Sequence, residues 1–360
     1  MLRSLGLLYT LGHPIDWSGV VSGSARHIRL PGYPWQHERC WFESGESRAT
    51  RLTAPAHPLL GRPLGEPAPS WETRLDLRLF PYLNDHRVQR TVIVPATAYI
   101  EMVFAVAREV FGDTRCQVED LKLANPCFLS PDQALHLHTD FQGEDATVRI
   151  ASRAADGDAE WTAHGSAVVR SSPAEDMANP LDRETIQQRC PRPFDRAKCY
   201  AYLQKMGLDY GPLFQGIEHG WQGERESLSE IRLPDGLTAG ASDYLFHPAL
   251  LDACFQGVIS ADRDFAEVVS GLYLPIEIER IRLHRRPGRH VWVHARLQEK
   301  TARFSVADLD VYDEDGRLAV QVRGLHSQRV AGGDAGESLD DLLYAYEWRL
   351  QSRTSPDRSE

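Results

Sequence analysis

The stretch Leu83–Val110, LNDHRVQRTVIVPATAYIEMVFAVAREV, sets a histidine on a short strand, turns, and starts a long apolar helix at a proline. Period-two alternation puts His86 and Val88 on one face of that strand. Gln89 and Arg90 interrupt the apolar pattern, and Thr91 to Val94 read as a second, β-branched strand. Pro95 suits a first helical turn, where a missing N–H has no intrahelical partner to lose. From Ala98 to Phe111 the polar residues are Glu101, Arg108 and Glu109, which fall along one narrow stripe. A helix this apolar predicts burial on most sides, with sheet wrapped round it. A histidine just ahead of such a helix is a candidate for chemistry.

The bulk properties frame that core. A chain of 360 residues, 42% hydrophobic, predicts two domains or one large double domain. Charged residues interrupt every apolar run before it reaches the roughly 18 residues of a membrane span. The N-terminal MLRSLGLLYTLG has no small-residue cleavage site after it, so we expect no signal peptide and a cytosolic protein with no membrane partner. Six cysteines without a CxxC pair predict reduced, buried thiols rather than disulfides or a zinc site. A net charge of −11 argues against a nucleic-acid partner.

Taken in order, residues 1–48 are dense in proline, glycine and aromatics and predict an extended segment. Residues 49–170 form a first folded unit, opened by HPLLG at His57 to Gly61, after a polar linker over 44–56. Alternating runs follow the central helix at QVEDLKLANP, ALHLHTDF, ATVRIASR and EWTAHGSAVV. His136 and His138 share one strand face, and an exposed face accounts for them better than a metal. Residues 171–189 are polar with two prolines and predict a linker. The pattern then returns over 190–335. YAYLQKMGLDYGPLFQGI predicts a short helix and a turn, HPALLDACFQGVIS a second apolar helix, and four strand-like runs follow it. The repeated order predicts an internal duplication. Residues 336–360 form a tail, in which Ser338 reads as a helix start rather than a carrier-protein serine.

Four elements, in this order, carry a family resemblance. His86 to Pro95 resembles the HxxxGxxxxP signature of the dehydratase domains of modular polyketide synthases, with Arg90 standing where the motif has glycine. Tyr210-Gly211-Pro212-Leu213-Phe214 resembles the family's YGPxF element. Asp252 to Gln256 resembles its DxxxQ/H element, and Leu274-Pro275-Ile276 its LPF-type strand. Leu30 to Trp41 is similar to the linker that follows the acyltransferase domain in such synthases, and no GxSxG nucleophile of an acyltransferase occurs. The resemblance implies an α+β double hotdog, two curled antiparallel sheets each round a long central helix. It implies acyl carrier protein as partner, neighbouring synthase domains, a homodimer, and a substrate carried on phosphopantetheine with no metal or redox cofactor. The basic turn His284–Arg289 is a candidate docking patch for the carrier, although a solvated hairpin tip explains it as well.

Dehydrating a β-hydroxyacyl thioester requires a base for the C2 proton, an acid for the C3 hydroxyl, and a way to hold enolate charge. His86 suits the base, since a free imidazole titrates near pH ~6.5 and is mostly neutral in the cytosol. Asp252 suits the acid if burial raises its pKa. Gln256, one helical turn on, can orient that carboxyl. Tyr210 is a candidate positioning hydroxyl, with Gly211 and Pro212 shaping its turn. Pro95 shapes the helix start, and the backbone N–H groups of Ala96 to Ala98 could polarise the thioester carbonyl. Arg90 is the exception: at a positive φ it costs roughly 1 kcal/mol or distorts the turn, and a distorted turn would move His86. The competing readings are an enoyl isomerase using His86 alone, a non-catalytic dimerisation scaffold, and a hotdog thioesterase.

Overall fold

The computed structural model describes residues 1–20, 55–65, 68–155, 159–172, 180–262, 265 and 271–330. The chain separates into two compact units, Met1–Ala49 and Thr50–Glu360. Within the first, the expected extended segment is instead helical at its start: α1 spans Leu2–Thr10 and ends at Leu11. Its leucines repeat at helical spacing, a signal that the density of proline and aromatics farther on obscured. Leu30 to Trp41, Cys40, the tail over 336–360 and Ser338 lie outside the described residues.

The second unit begins with strands β1 (Arg62–Pro63), β2 (Ser70–Leu75), β3 (His86–Val88) and β4 (Thr91–Val92). Helix α2 (Ala96–Phe111) precedes β5 (Cys116–Leu123), β6 (Leu135–Gln142), β7 (Thr147–Ala154) and β8 (Thr162–Ser171). Part of the expected linker is helical, as α3 (Arg183–Arg189), because Asp182 caps it by accepting from Thr185 N–H. Then come β9 (Arg192–Asp195), α4 (Arg196–Lys205), β10 (Leu208–Tyr210), β11 (Ile217–Gln222) and β12 (Glu226–Arg232). Helix α5 (Pro248–Ser260) is followed by β13 (Tyr273–Leu283), β14 (His290–Lys300), β15 (Phe304–Tyr312) and β16 (Leu318–Arg329).

The duplication is visible in the strand order. One sheet runs β1-β2-β6-β7-β8-β5-β13-β16-β15-β14-β12-β11-β9, all antiparallel. Read outward from its middle, β5-β8-β7-β6-β2 and β13-β16-β15-β14-β12 are the same arrangement, each with its helix between the outermost of these strands and the next in sequence. Each half is thus a hotdog, and β5 pairing with β13 joins them, Cys116 opposite Leu283 and Lys122 opposite Glu277. The two central helices meet, Thr97 Oγ1 donating to the Pro248 carbonyl at 3.0 Å.

Helix α2 is buried at every position from Thr97 to Ala107. Each large aliphatic or aromatic side chain on it contributes about 1.5–3 kcal/mol by leaving water. Gly112 ends the helix in the left-handed region, at φ 70°. The narrow polar stripe does not mark a solvent face, because Glu101 is fully buried. Its carboxylate accepts from the Leu245 and Phe246 amides at 2.6 and 2.8 Å and from His57 Nε2 at 2.9 Å. Since His57 Nδ1 accepts from Leu59 N–H, its proton sits on Nε2, facing Glu101. This carboxylate ties the HPLLG segment and the start of α5 to α2. Glu101→Ala orphans all three donors, so we expect a loss of about 3–5 kcal/mol in urea denaturation. A loss under about 1 kcal/mol would show that the clamp contributes little.

The hairpin at β3 and β4 resolves the question of Arg90. Gln89 and Arg90 both take positive φ, 47° and 69°, the geometry of a two-residue type I′ turn. Gln89 N–H donates to the Gly207 carbonyl at 2.7 Å, and Arg90 N–H to Asp209 Oδ2 at 3.0 Å. Arginine adopts the glycine conformation and the turn is held from β10. Arg90→Gly is therefore expected to stabilise the fold by about 0.5–1 kcal/mol and to leave turnover within twofold. Chemical denaturation and a rate measurement together check it.

The basic turn between β13 and β14 is committed within the fold. Arg286 donates to the carbonyls of Ser242 and Tyr244, and Arg289 donates to that of Thr238 at 3.2 Å. Arg285 lies 4.0 Å from Asp313. The exposed guanidinium groups of Arg286 and Arg289 thus brace the segment leading to α5. His136 pairs with Glu72 at 2.8 Å, and the His138 ring leans on Trp161, so those histidines have strand-face partners. Cys116, Cys127, Cys190, Cys199 and Cys254 are free and buried.

Candidate active site

His86 opens β3 and Asp252 lies one turn into α5, so each half supplies one of them. Their side chains meet with His86 Nε2 3.8 Å from Asp252 Oδ1, both nearly buried. That is too long for a hydrogen bond and short enough for both to touch one substrate. His86 Nδ1 lies 2.7 Å from the Ile93 carbonyl. A carbonyl only accepts, so the ring proton sits on Nδ1 and Nε2 presents a lone pair. Ile93 is itself fixed, because Val94 N–H donates to the Cys127 carbonyl and Leu129 N–H to that of Val92.

Asp252 is set for the opposite role. Burial drives its pKa above the usual carboxylate range, against the opposing pull of His86, Gln256 and Tyr210. Gln256 Nε2 donates to Asp252 Oδ2 at 2.9 Å, as the one-turn spacing predicts. Tyr210 pairs with His86 across β10 and β3, its ring 5.6 Å from the imidazole. It is only partly buried, since its ring borders a cavity, yet burial of the hydroxyl and the nearby Asp252 hold its pKa well above an ordinary phenol. The hydroxyl therefore stays a donor.

The YGP turn is built around a residue that sequence reading passed over. Asp85, just before His86, accepts the Gly211 N–H on its carbonyl at 2.8 Å and the Leu213 N–H on Oδ2 at 2.9 Å. A Cβ at Gly211 would lie 2.3 Å from Asp85 Cγ, so only glycine permits this approach. Pro212 then starts a short 3₁₀ turn that ends at Phe214, whose ring packs 5.2 Å from His86. Tyr200, on α4, was also missed. Nothing local distinguishes it, because its partner Gln256 is 56 residues farther on.

A cavity of about 720 Å³ joins these groups. His86, Ala96, Tyr210, Asp252 and Gln256 line it, and Leu274-Pro275-Ile276 form part of its wall. Pro95 caps α2 rather than occupying its first turn, with extended ψ of 148°. The Ala98 N–H donates to the Pro95 carbonyl at 2.9 Å, so of the helix-start amides that one is already engaged. Ala96 remains at the cavity wall. The arrangement sets an imidazole and a buried carboxyl 3.8 Å apart on the wall of one cavity.

Comparisons with known proteins agree with this fold. A family model described as polyketide synthase dehydratase domain matches residues 57–153, and one described as polyketide synthase dehydratase N-terminal domain matches residues 178–337. A mycocerosic acid synthase-like polyketide synthase of Mycolicibacterium smegmatis is 28% identical over 98% of this chain, which spans 17% of that protein. Across the first relatives found, the chain spans between 6% and 17% of their length. The dehydratase domain from the CurF module of curacin polyketide synthase is 26% identical, with a TM-score of 0.68 over 77% of this chain and 99% of that one. Similar at 26% identity are two variants of the CurK dehydratase described as inactive, one His→Phe and one Asp→Asn, with TM-scores of 0.66 and 0.67 over 76% and 77% of this chain and 97% and 100% of theirs.

Proposed function

Because this chain belongs to the polyketide synthase dehydratase family, we propose that it removes water from a β-hydroxyacyl thioester with His86 as base and Asp252 as acid. The substrate is carried on the phosphopantetheine of an acyl carrier protein. The observation that carries the assignment is the 3.8 Å approach of His86 Nε2 to Asp252 Oδ1 inside the cavity.

The steps follow from that geometry. Nε2 takes the C2 proton, and the C2–H electron pair becomes the C2–C3 double bond. The C3–O bond breaks and the hydroxyl leaves as water with the Asp252 proton. The extra proton on His86 then returns to Asp252 across the gap, which restores both groups. Acid and base this close reach one face of the substrate, so the elimination is syn. In this reading the Ala96 N–H, at the positive start of α2 on the cavity wall, receives enolate charge on the thioester oxygen. Tyr210 orients the substrate beside His86. The inactive His→Phe and Asp→Asn forms of the related CurK domain support giving both residues a chemical role. An isomerase would need no acid at Asp252, and a scaffold would need neither group.

The domain acts as one part of a larger synthase, with neighbouring domains and a carrier protein as partners and as a homodimer in the cytosol. Two proton transfers suffice for the reaction, so no metal or redox cofactor of its own is called for. Among the described residues no helix is long and apolar enough to cross a membrane. Mass spectrometry of a short β-hydroxyacyl carrier protein incubated with this domain tests the reading: one water should be lost. If none is lost, and the enoyl form is neither hydrated nor isomerised by the folded protein, the reading fails.

A further inference from the structure

Behind Asp252 runs a hydrogen-bond chain whose direction is fixed at both ends. The Ile217 backbone N–H, which can only donate, lies 3.0 Å from the Tyr200 oxygen. Tyr200 must therefore send its own proton onward, and its nearest acceptor is Gln256 Oε1 at 2.8 Å. At the other end the Phe214 carbonyl, which can only accept, lies 3.0 Å from Gln256 Nε2. Flipping the amide would set Oε1 against that carbonyl and leave the carbonyl only the Tyr200 hydroxyl, at 3.5 Å. So Nε2 faces Asp252 Oδ2, which always accepts. When Asp252 is neutral, its proton is left on Oδ1, the oxygen that faces His86 and the cavity.

We propose that Tyr200 is a positioning residue for the acid: acting through Gln256, it holds the Asp252 proton on the oxygen that reaches the substrate. The proposal rests on the dehydratase reading. Tyr200, Gln256, Asp252 and Phe214 are all 9% exposed or less, so solvent does not readily replace a missing link. The other titratable groups near Asp252 are His86 from β3, Tyr210 from β10 and Cys254 on its own helix. Cys254 donates to the Leu250 carbonyl, and neither it nor Tyr210 contacts the Gln256 amide as Tyr200 does. Without the Tyr200 hydroxyl, Gln256 Oε1 loses its donor and the amide can turn. It would then accept from an Oδ2–H, with the proton on the wrong side of the carboxyl.

Tyr200→Phe keeps the ring and removes only the hydroxyl. We expect kcat to fall about 10-fold or more, part of the ~10²–10⁴ that a positioned acid contributes, with KM within twofold. In a Gln256→Ala background the same substitution should change kcat less than about twofold, since its route to Asp252 is already gone. Unchanged kcat in the single variant, a loss expressed in KM, or full additivity in the double variant would each overturn the proposal. Should Tyr200→Phe fail to fold, a ring-fluorinated tyrosine at position 200 carries the test: kcat should move with hydroxyl acidity at constant KM, and no movement overturns it. A wild-type domain that dehydrates nothing overturns the dehydratase reading and this proposal together. An active wild type with an unaffected Tyr200→Phe overturns this proposal alone.

Discussion

His86→Ala is expected to reduce water loss from a β-hydroxyacyl carrier protein by about 10²–10⁴-fold, the range of a positioned general base. The cause is local. Nε2 is the ring nitrogen left free once Nδ1 donates to the Ile93 carbonyl, and it is the atom that faces Asp252. The backbone that carries His86 is held by its hairpin, by Asp85 and by pairing with β10, so the fold should survive. The measurement is single-turnover mass spectrometry alongside circular dichroism. A folded variant that keeps more than about a tenth of wild-type turnover would remove His86 as the base. Added imidazole gives a second readout, because the space vacated opens onto the cavity, and partial recovery would tie the loss to the missing ring rather than to altered packing.

Asp252→Asn should lose activity on the same scale and gain stability. The sign follows from burial. A carboxyl whose folded pKa is raised above its unfolded value favours folding in its protonated form. That contribution is complete below the unfolded pKa and is lost as pH rises through the folded one. At neutral and alkaline pH the wild type therefore carries a burial penalty that asparagine does not. Each kcal/mol relieved should raise the Tm by about 2–4 °C in a domain of this size. The Tm gap should widen as pH rises through the raised pKa and be smallest in acid. Wild-type turnover should fall over the same rise, as the acid loses its proton. An asparagine variant less stable than wild type at every pH would contradict this account.

Stability and chemistry are opposed at Asp252 and aligned at Glu101. Both are buried carboxyls on central helices. Glu101 accepts from two backbone amides and from His57, so its charge is matched. Asp252 has Gln256 and Tyr210 beside it and, at its open oxygen, a cavity. The same residue class is a clamp in one half and, in the proposed mechanism, the acid in the other because the donor supply differs.

Period and punctuation were enough to find both central helices, the strands after each and the repeated order, because apolar spacing records which face must leave water. Likeness to the motifs of a known family, rather than period, marked Asp252, Gln256 and the Tyr210 turn and paired His86 with Asp252, and the motif's glycine raised the question of a positive φ at position 90. Neither period nor likeness anticipated that Arg90 would adopt it intact, which depends on the carboxylate of Asp209 and the carbonyl of Gly207 on another strand. Composition misread the start of the chain as extended, and nothing local showed that Glu101 in the polar stripe is clamped by Leu245, Phe246 and His57. Asp85 and Tyr200 carried no local mark, since their partners lie 128 and 56 residues away in sequence. By itself, then, the sequence determined the duplicated helix-and-sheet architecture, which follows from short-range pattern, and, through its likeness to a known family, the residues set out for acid–base chemistry. Only the tertiary structure decided which nitrogen of His86 faces the Ile93 carbonyl, which oxygen of Asp252 faces Gln256, and that the imidazole and the carboxyl stand 3.8 Å apart. Those properties are set by hydrogen-bond donors and acceptors from distant segments, whose direction becomes defined only once folding brings them into contact.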